Sequence, residues 1–191
     1  MFIYKFSRAL AILFMKIIYR PKIIGEDNII KDGPVILVGN HTSKLDAILL
    51  IGSTKKTITF LGKHLLFKGI GKYYFKALGV IPVNRTIKDK SVIPSSVLAL
   101  EEGKTISIFP EGTINKTDDV IMPFKIGAVK IAKLTGVPIV PLVINGKYKI
   151  FGNQLEIKFL KPITIIDEDL ELENEKLMNI FRKELENMKE K

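Results

Sequence analysis

The sequence predicts an α/β layered domain whose central sheet, largely parallel or mixed, is flanked by helices. Short apolar runs bounded by glycine, proline or asparagine recur along the chain, and between them lie segments with apolar residues at three-to-four spacing. There is no internal repeat and no long linker, so the 191 residues are expected to form one domain over residues 21–191, preceded by a helix over residues 1–20.

Residues 2–19 read FIYKFSRALAILFMKIIY, and the longest uninterrupted apolar run, Ala9 to Met15, has seven residues. A transmembrane helix needs about 20. No small-residue cleavage site follows before Arg20-Pro21, so a cleaved signal peptide is not expected either. On a helix, Lys5, Arg8 and Lys16 gather on one side, while Leu10, Leu13, Phe14 and Ile17 cover another. That pattern fits a helix lying in a membrane interface. It equally fits an amphipathic helix covering a core.

Pro21 stops this helix, and residues 25–33 read as a polar connector. Residues 35–39 (VILVG) predict a buried strand, followed by a polar turn at Asn40 to Ser43 and a short helix over 45–51. A second strand is expected at 57–61, then a basic, aromatic helix over 64–77 and a third strand at 79–83. In that helix the spacing of Tyr73, Tyr74 and Phe75 favours core packing over base stacking. A helix over 91–102 places Pro94 in its first turn, where the missing N–H costs least. Strands at 105–109, 138–144 and 154–160 alternate with a helix over 124–134, and Pro141 is expected at an edge or bulge. The last helix spans 174–188, with Asn174 as its cap and Leu177, Ile180, Phe181, Leu185 and Met188 on its apolar side.

Composition narrows the chemistry. Apolar residues make up 47% of the chain and charged residues 26%, enough for a core and too apolar for disorder. No cysteine is present, which excludes disulfides, thiolate nucleophiles and cysteine-held metals. With only His41 and His64, a multi-histidine metal site cannot be built, and neither glycine-rich nucleotide fingerprint occurs. The net charge of +10 is concentrated: residues 1–90 carry 16 basic and 5 acidic groups, residues 91–191 carry 14 and 15. A basic face of this kind suits an anionic membrane, nucleic acid or a phosphorylated substrate.

Four blocks could carry chemistry. Asn40-His41-Thr42-Ser43-Lys44-Leu45-Asp46 directly follows a buried strand, where α/β folds place reactive groups. A turn into a helix can fold Asp46 back onto His41, giving a general base whose tautomer the carboxylate fixes. Ser43 lies beside them without a glycine elbow, so an orienting role suits it better than a nucleophilic one. A bare His-x4-Asp also arises by chance as a turn histidine and a helix-cap aspartate. The second block, Gly79 to Arg85, delivers one guanidinium whose fork suits a phosphate, or simply a solvated arginine. The third, Phe109-Pro110-Glu111-Gly112-Thr113, puts a carboxylate, a backbone N–H and a hydroxyl at a sheet edge. The fourth, Val137-Pro138-Ile139-Val140-Pro141, has no reactive atom and can only shape a wall.

Together, in this order and spacing, the four blocks resemble the glycerolipid acyltransferase family, specifically the 1-acyl-glycerol-3-phosphate acyltransferases. The likeness runs from His41 through Pro141 and includes Phe124, Lys125, Gly127 and Ala128. It implies a glycerol-3-phosphate acyltransferase-like fold, with His41 as base and Asp46 as its partner. Arg85, Glu111, Gly112 and Thr113 would hold the acceptor, and Asn40, Ser43, Phe109, Pro110, Pro138 and Pro141 would support or shape the pocket. The family's third block usually continues Arg-Ser where this chain has Ile114-Asn115, so Lys116 or Lys125 would supply the missing cation. The resemblance further implies acyl-CoA or acyl-carrier protein as co-substrate, lysophosphatidic acid as acceptor and no cofactor or metal. The expected partner is an anionic phospholipid membrane rather than nucleic acid, with peripheral attachment at the cytoplasmic face of the cell membrane. A different acceptor, a thioesterase and a non-catalytic membrane-binding module remain alternatives.

Overall fold

The structure, a computed structural model, describes residues 2–84, 89–152 and 154–189. Its centre is one sheet of seven strands in the order β1-β7-β6-β2-β5-β3-β4. The strands are β1 (Lys22–Ile24), β2 (Ile36–Gly39), β3 (Ile58–Lys63), β4 (Ile81–Val83), β5 (Thr105–Ile108), β6 (Ile139–Asn145) and β7 (Glu156–Phe159). β6, β2, β5, β3 and β4 run parallel, whereas β7 pairs antiparallel with β6 and β1 parallel with β7. The sheet is therefore mixed, with a parallel majority.

Strand residues alternate between two cores. Ile36, Val38, Ile106 and Ile108 face α4 (Val92–Glu101), α5 (Gly127–Thr135) and α6 (Leu170–Lys189). Val35, Leu37, Val140 and Leu142 face the other way, onto Leu49 and Leu50 of α2 (Asp46–Gly52) and Met15. Because β2 is covered on both faces, it reads as an unbroken apolar run rather than an alternating one.

The N-terminal helix α1 (Phe2–Phe14) continues through a wider π-type turn at Met15–Tyr19 and packs across α2. Tyr4, Ala11 and Met15 form its buried stripe, and the Ile58 N–H donates to the Tyr4 hydroxyl at 2.7 Å. The apolar side read from sequence is a different one: Leu10, Leu13, Phe14 and Ile17 all stand exposed. Three residues thus anchor the helix to the domain, and a second apolar stripe faces outward.

Several boundaries differ from expectation. The helix expected over 64–77 is a 3-10 turn at His64–Phe67 followed by α3 (Gly71–Ala77), broken where Gly69 takes φ +58. Tyr73 and Tyr74 are exposed rather than core, because so short a helix turns mainly Phe75 inward. Phe124 precedes α5 and is buried against Phe181. Helix α6 starts four residues early, capped by Asp169, whose Oδ1 accepts the N–H groups of Glu171 and Leu172 at 3.1 and 3.0 Å. Asn174 lies inside that helix and instead donates to the Phe124 carbonyl at 3.0 Å. Pro141 is in a central strand, not an edge. It turns its backbone toward β7, at the gap between the Leu160 N–H, which bonds its carbonyl, and the Ile139–Ile163 bridge. β1 escapes a sequence reading because three residues show no period.

Candidate active site

Parallel pairing of β6, β2 and β5 brings three strand ends to one edge of the sheet. The loops leaving that edge carry Asn40 to Asp46, Phe109 to Asn115, and Tyr148.

Asp46, at the start of α2, is fully buried, and its carboxylate accepts five hydrogen bonds. Oδ2 faces His41 Nδ1 at 2.8 Å and accepts the N–H groups of Thr42 and Ser43 at 2.7 and 2.8 Å. Oδ1 accepts the Thr42 hydroxyl at 3.1 Å and the Tyr148 hydroxyl at 2.6 Å. An ionised carboxylate with this many donors is acceptor-only, so Nδ1 of His41 carries the proton and Nε2 is left as the basic nitrogen. Ser43 completes the turn by accepting the Leu45 N–H at 3.2 Å.

The imidazole stacks on Phe109, with ring centroids 4.5 Å apart and planes 18° from parallel. Phe109 can lie there because β2, which leads into the His41 turn, ends in glycine: a Cβ at Gly39 would stand 3.2 Å from the Phe109 ring and 2.7 Å from Leu142 Cδ1. Asn40 fastens the turn to β6, donating to the Ile144 carbonyl at 2.9 Å and accepting its N–H at 2.8 Å.

Glu111 joins the loops. Oε1 accepts the His41 N–H at 2.7 Å and Oε2 the Met122 N–H at 2.9 Å, while the Asn115 N–H donates to the His41 carbonyl at 2.8 Å. With both carboxylate oxygens engaged, Glu111 acts in this geometry on the position of His41's backbone. Burial pushes the Glu111 carboxyl above its ordinary 4.5, partly opposed by the two N–H donors. A raised carboxyl means that the folded state holds its proton longer, so this contribution to stability is complete below about pH 4.5 and fades as pH rises through the raised value. Protonated Glu111 can still accept from both N–H groups, whereas a glutamine amide turns a donor toward one of them. Glu111→Gln should therefore lower stability by about 1–3 kcal/mol, with the largest deficit at low pH. Urea melts of both proteins between pH 4 and 8 check this, and a deficit that grows with pH would contradict it.

The other residues expected at the site are placed as follows. Phe109, Pro110, Gly112 and Lys125 line a cavity of about 150 Å³ at the ends of β3, β4 and β5. Lys125 Nζ lies 2.8 Å from where a Cβ on Gly112 would stand, and the Gly112 N–H is spent on the Phe109 carbonyl at 3.0 Å. Thr113 and Lys116 are exposed in the same loop. Arg85 lies outside the described residues. Pro138 and Pro141 are not brought to the site: Pro138 precedes β6 at the opposite edge of the sheet, about 20 Å along the strand from Asn145. Tyr148, absent from the sequence reading, is the addition, and a lone tyrosine 102 residues from Asp46 gives no local signal.

Beside the dyad runs an open apolar groove of about 740 Å³, lined by Phe6, Leu10 and Phe14 of α1, Leu45, Ile48 and Ile51, and Tyr74 and Leu78. It reaches Leu45, the neighbour of Asp46.

The chain as a whole is similar to known proteins. The family model described as Acyltransferase matches residues 20–145, and the chain belongs to that family. It is 32% identical over 173 residues to the 1-acyl-sn-glycerol-3-phosphate acyltransferase of Borreliella burgdorferi, covering 85% of this chain and 69% of the relative. The Bacillus subtilis protein of the same description is 32% identical over 128 residues, 65% of this chain and 62% of that one. The crystal structure of the 1-acyl-sn-glycerophosphate acyltransferase PlsC from Thermotoga maritima superimposes with a TM-score of 0.75 at 25% identity, over 99% of this chain and 79% of its own. The chain thus spans less than two thirds of the Bacillus relative and 39% of a chloroplastic one from Brassica napus.

Proposed function

We propose that this protein transfers an acyl group from acyl-CoA or acyl-carrier protein to the 2-hydroxyl of 1-acyl-sn-glycerol-3-phosphate, forming phosphatidic acid. The observation that carries the reading is the His41–Asp46 pair at 2.8 Å, which leaves Nε2 as a base at the open edge of the sheet. Nε2 takes the hydroxyl proton, the oxygen attacks the thioester carbonyl, the C–S bond breaks, and the imidazolium returns its proton to the leaving thiolate. The acceptor is itself the nucleophile, so no acyl-enzyme is formed.

Lys125 above Gly112 supports a phosphate site on the β5 side, with Lys116 exposed in the neighbouring loop as a second cation; Arg85 is assigned to the acceptor from the family resemblance alone. Charge-assisted contacts of this kind contribute about 1.5–3 kcal/mol each. Asn115, standing where the family usually has serine, holds the His41 carbonyl through its N–H, and Ile114 supplies no charge. That departure favours a panel of acceptors as the test: lysophosphatidate, glycerol 3-phosphate and lysophospholipids with other headgroups, each with acyl-CoA and acyl-carrier protein. Thiol release that depends on lysophosphatidate is expected. Equal release without any acceptor would mark a thioesterase instead.

We also assign residues 1–20 as an interfacial helix, attached peripherally to the anionic cytoplasmic leaflet, with residues 21–191 as the acyltransferase domain. Among the described residues, no helix is long and apolar enough to cross a membrane. The support is the outward stripe of Ile3, Phe6, Leu10, Leu13 and Ile17, each more than 40% exposed. Tyr74 of α3 is tied to α1 by a 3.0 Å hydrogen bond with Ser7, and residues 63–76 expose Leu65, Leu66, Ile70 and Tyr73 together with Lys63, Lys68, Lys72 and Lys76. Basic residues near an anionic surface contribute about 1 kcal/mol apiece. The double variant Leu10→Asp/Leu13→Asp should lower partitioning onto phosphatidylglycerol vesicles at least ~100-fold, since each buried leucine contributes about 1.5–3 kcal/mol. Its melting temperature should stay put, because both residues are already exposed. Vesicle sedimentation measures this, and unchanged binding would contradict it.

A further inference from the structure

Tyr148 sits three residues beyond β6 and over a hundred from the turn it serves, yet its hydroxyl makes one of the two shortest contacts to Asp46, 2.6 Å to Oδ1. The ring is held edge-on by Tyr19, with centroids 5.5 Å apart, and Tyr19 packs in turn on Phe14 at 5.6 Å. The last turn of the N-terminal helix thus forms the wall that aims this phenol. Burial beside the Asp46 charge drives the Tyr148 hydroxyl far above its ordinary pKa, so it remains a donor at every working pH.

Resting on the acyl-transfer reading above, we propose that Tyr148 is a positioning residue for the His41–Asp46 pair, set in place by Tyr19. Without it, the only donor left on Oδ1 among the described residues is the hydroxyl of Thr42, an exposed residue whose contact is longer, at 3.1 Å. Two consequences follow. The carboxylate is less firmly oriented, which lowers the rate of proton transfer. The negative charge is also less shared, so Oδ2 becomes a stronger acceptor for the imidazole Nδ1–H. The groups facing the pair are Glu111, reached through the His41 backbone, and Tyr148 itself, with Tyr19 behind it.

Tyr148→Phe keeps the ring and its packing on Tyr19, and removes one oxygen. On vesicles with lysophosphatidate and acyl-CoA, kcat is expected to fall about tenfold, the size of one charge-assisted hydrogen bond. KM for the acceptor should stay within about twofold, and the acid limb of the kcat/KM profile should move to higher pH. With only two histidines in the chain, the His41 Nδ1 proton can be assigned by NMR against a His64→Gln variant. It should move downfield in Tyr148→Phe. Biosynthetic replacement of tyrosine by 3-fluorotyrosine makes the phenol a stronger donor at nearly constant size, and should move the same resonance upfield in wild type but not in the Tyr148→Phe background. A resonance that ignores both changes overturns the proposal, whether or not kcat falls. The NMR arm needs no substrate, so it tests Tyr148 even if wild type transfers no acyl group, the outcome that would sink the acyl-transfer reading alone.

Discussion

His41→Ala is expected to lower kcat for acyl transfer by at least ~10³-fold while leaving KM for lysophosphatidate within a few-fold. General-base catalysis by a positioned side chain contributes about 10²–10⁴-fold, and among the described residues nothing beside His41 can replace it. Lys125 is exposed on a separate loop, Glu111 spends both oxygens on backbone N–H groups, and Asp46 is sealed from solvent. The fold should survive, because the imidazole is partly exposed, its stacking on Phe109 is one contact, and Asp46 keeps the other four of its five hydrogen bonds. Its structural bonds, to Glu111 and Asn115, are made by the backbone and remain in alanine. Initial rates with both substrates, alongside a circular-dichroism melt, separate loss of chemistry from loss of protein.

Asp46→Asn is expected to cost about 10²–10⁴-fold in kcat, for an electrostatic reason rather than a geometric one. Three donors converge on Oδ2, from His41, Thr42 and Ser43, so the amide oxygen must occupy that position. The amide NH2 then faces the Thr42 and Tyr148 hydroxyls, both of which can rotate to accept. The histidine keeps its tautomer and loses the negative charge that stabilises its protonated form. The acid limb of the rate profile should accordingly move to lower pH, opposite to the shift expected for Tyr148→Phe. Asp46→Ala is a harsher change, since it also strips two backbone N–H groups of their acceptor inside a buried turn and should lower stability as well. Comparing pH–rate profiles of Asp46→Asn and wild type reads the electrostatic part by itself. A profile of unaltered shape and height would contradict it.

What could be read from the chain followed the range of each interaction. The His41–Asp46 contact spans five residues within one turn, so its geometry is local and its spacing announces it. The alternation of short apolar runs and helices likewise gave the parallel majority of the sheet, because burial on both faces of β2 leaves an unbroken run of Ile, Leu and Val, whereas β5 alternates Thr105 and Ser107 with Ile106 and Ile108. Contacts made across the sheet left no such trace. Glu111 reaches the His41 backbone from 70 residues away, and Tyr148 reaches Asp46 from 102. Neither partner choice is encoded in a spacing; both arise because β5 and β6 flank β2 and end on the same edge. Helix limits misled where a single side chain had another use. Asn174 has the composition of a cap, but its amide is needed inside the core at the Phe124 carbonyl, and Asp169 takes the cap instead. Pro141, expected at an edge or bulge, lies in a central strand, and β6 accommodates it where its ladder with β7 is interrupted.

In the proposed reaction the imidazole of His41 takes the proton from the acceptor hydroxyl as that oxygen attacks the thioester. The most direct measurement follows labelled lysophosphatidate on anionic vesicles with acyl-CoA, comparing wild type and His41→Ala at equal concentrations of folded protein. The label should pass into phosphatidic acid, mole for mole with released thiol, in the wild type alone. Phosphatidic acid formed at the wild-type rate by the alanine variant would contradict the account.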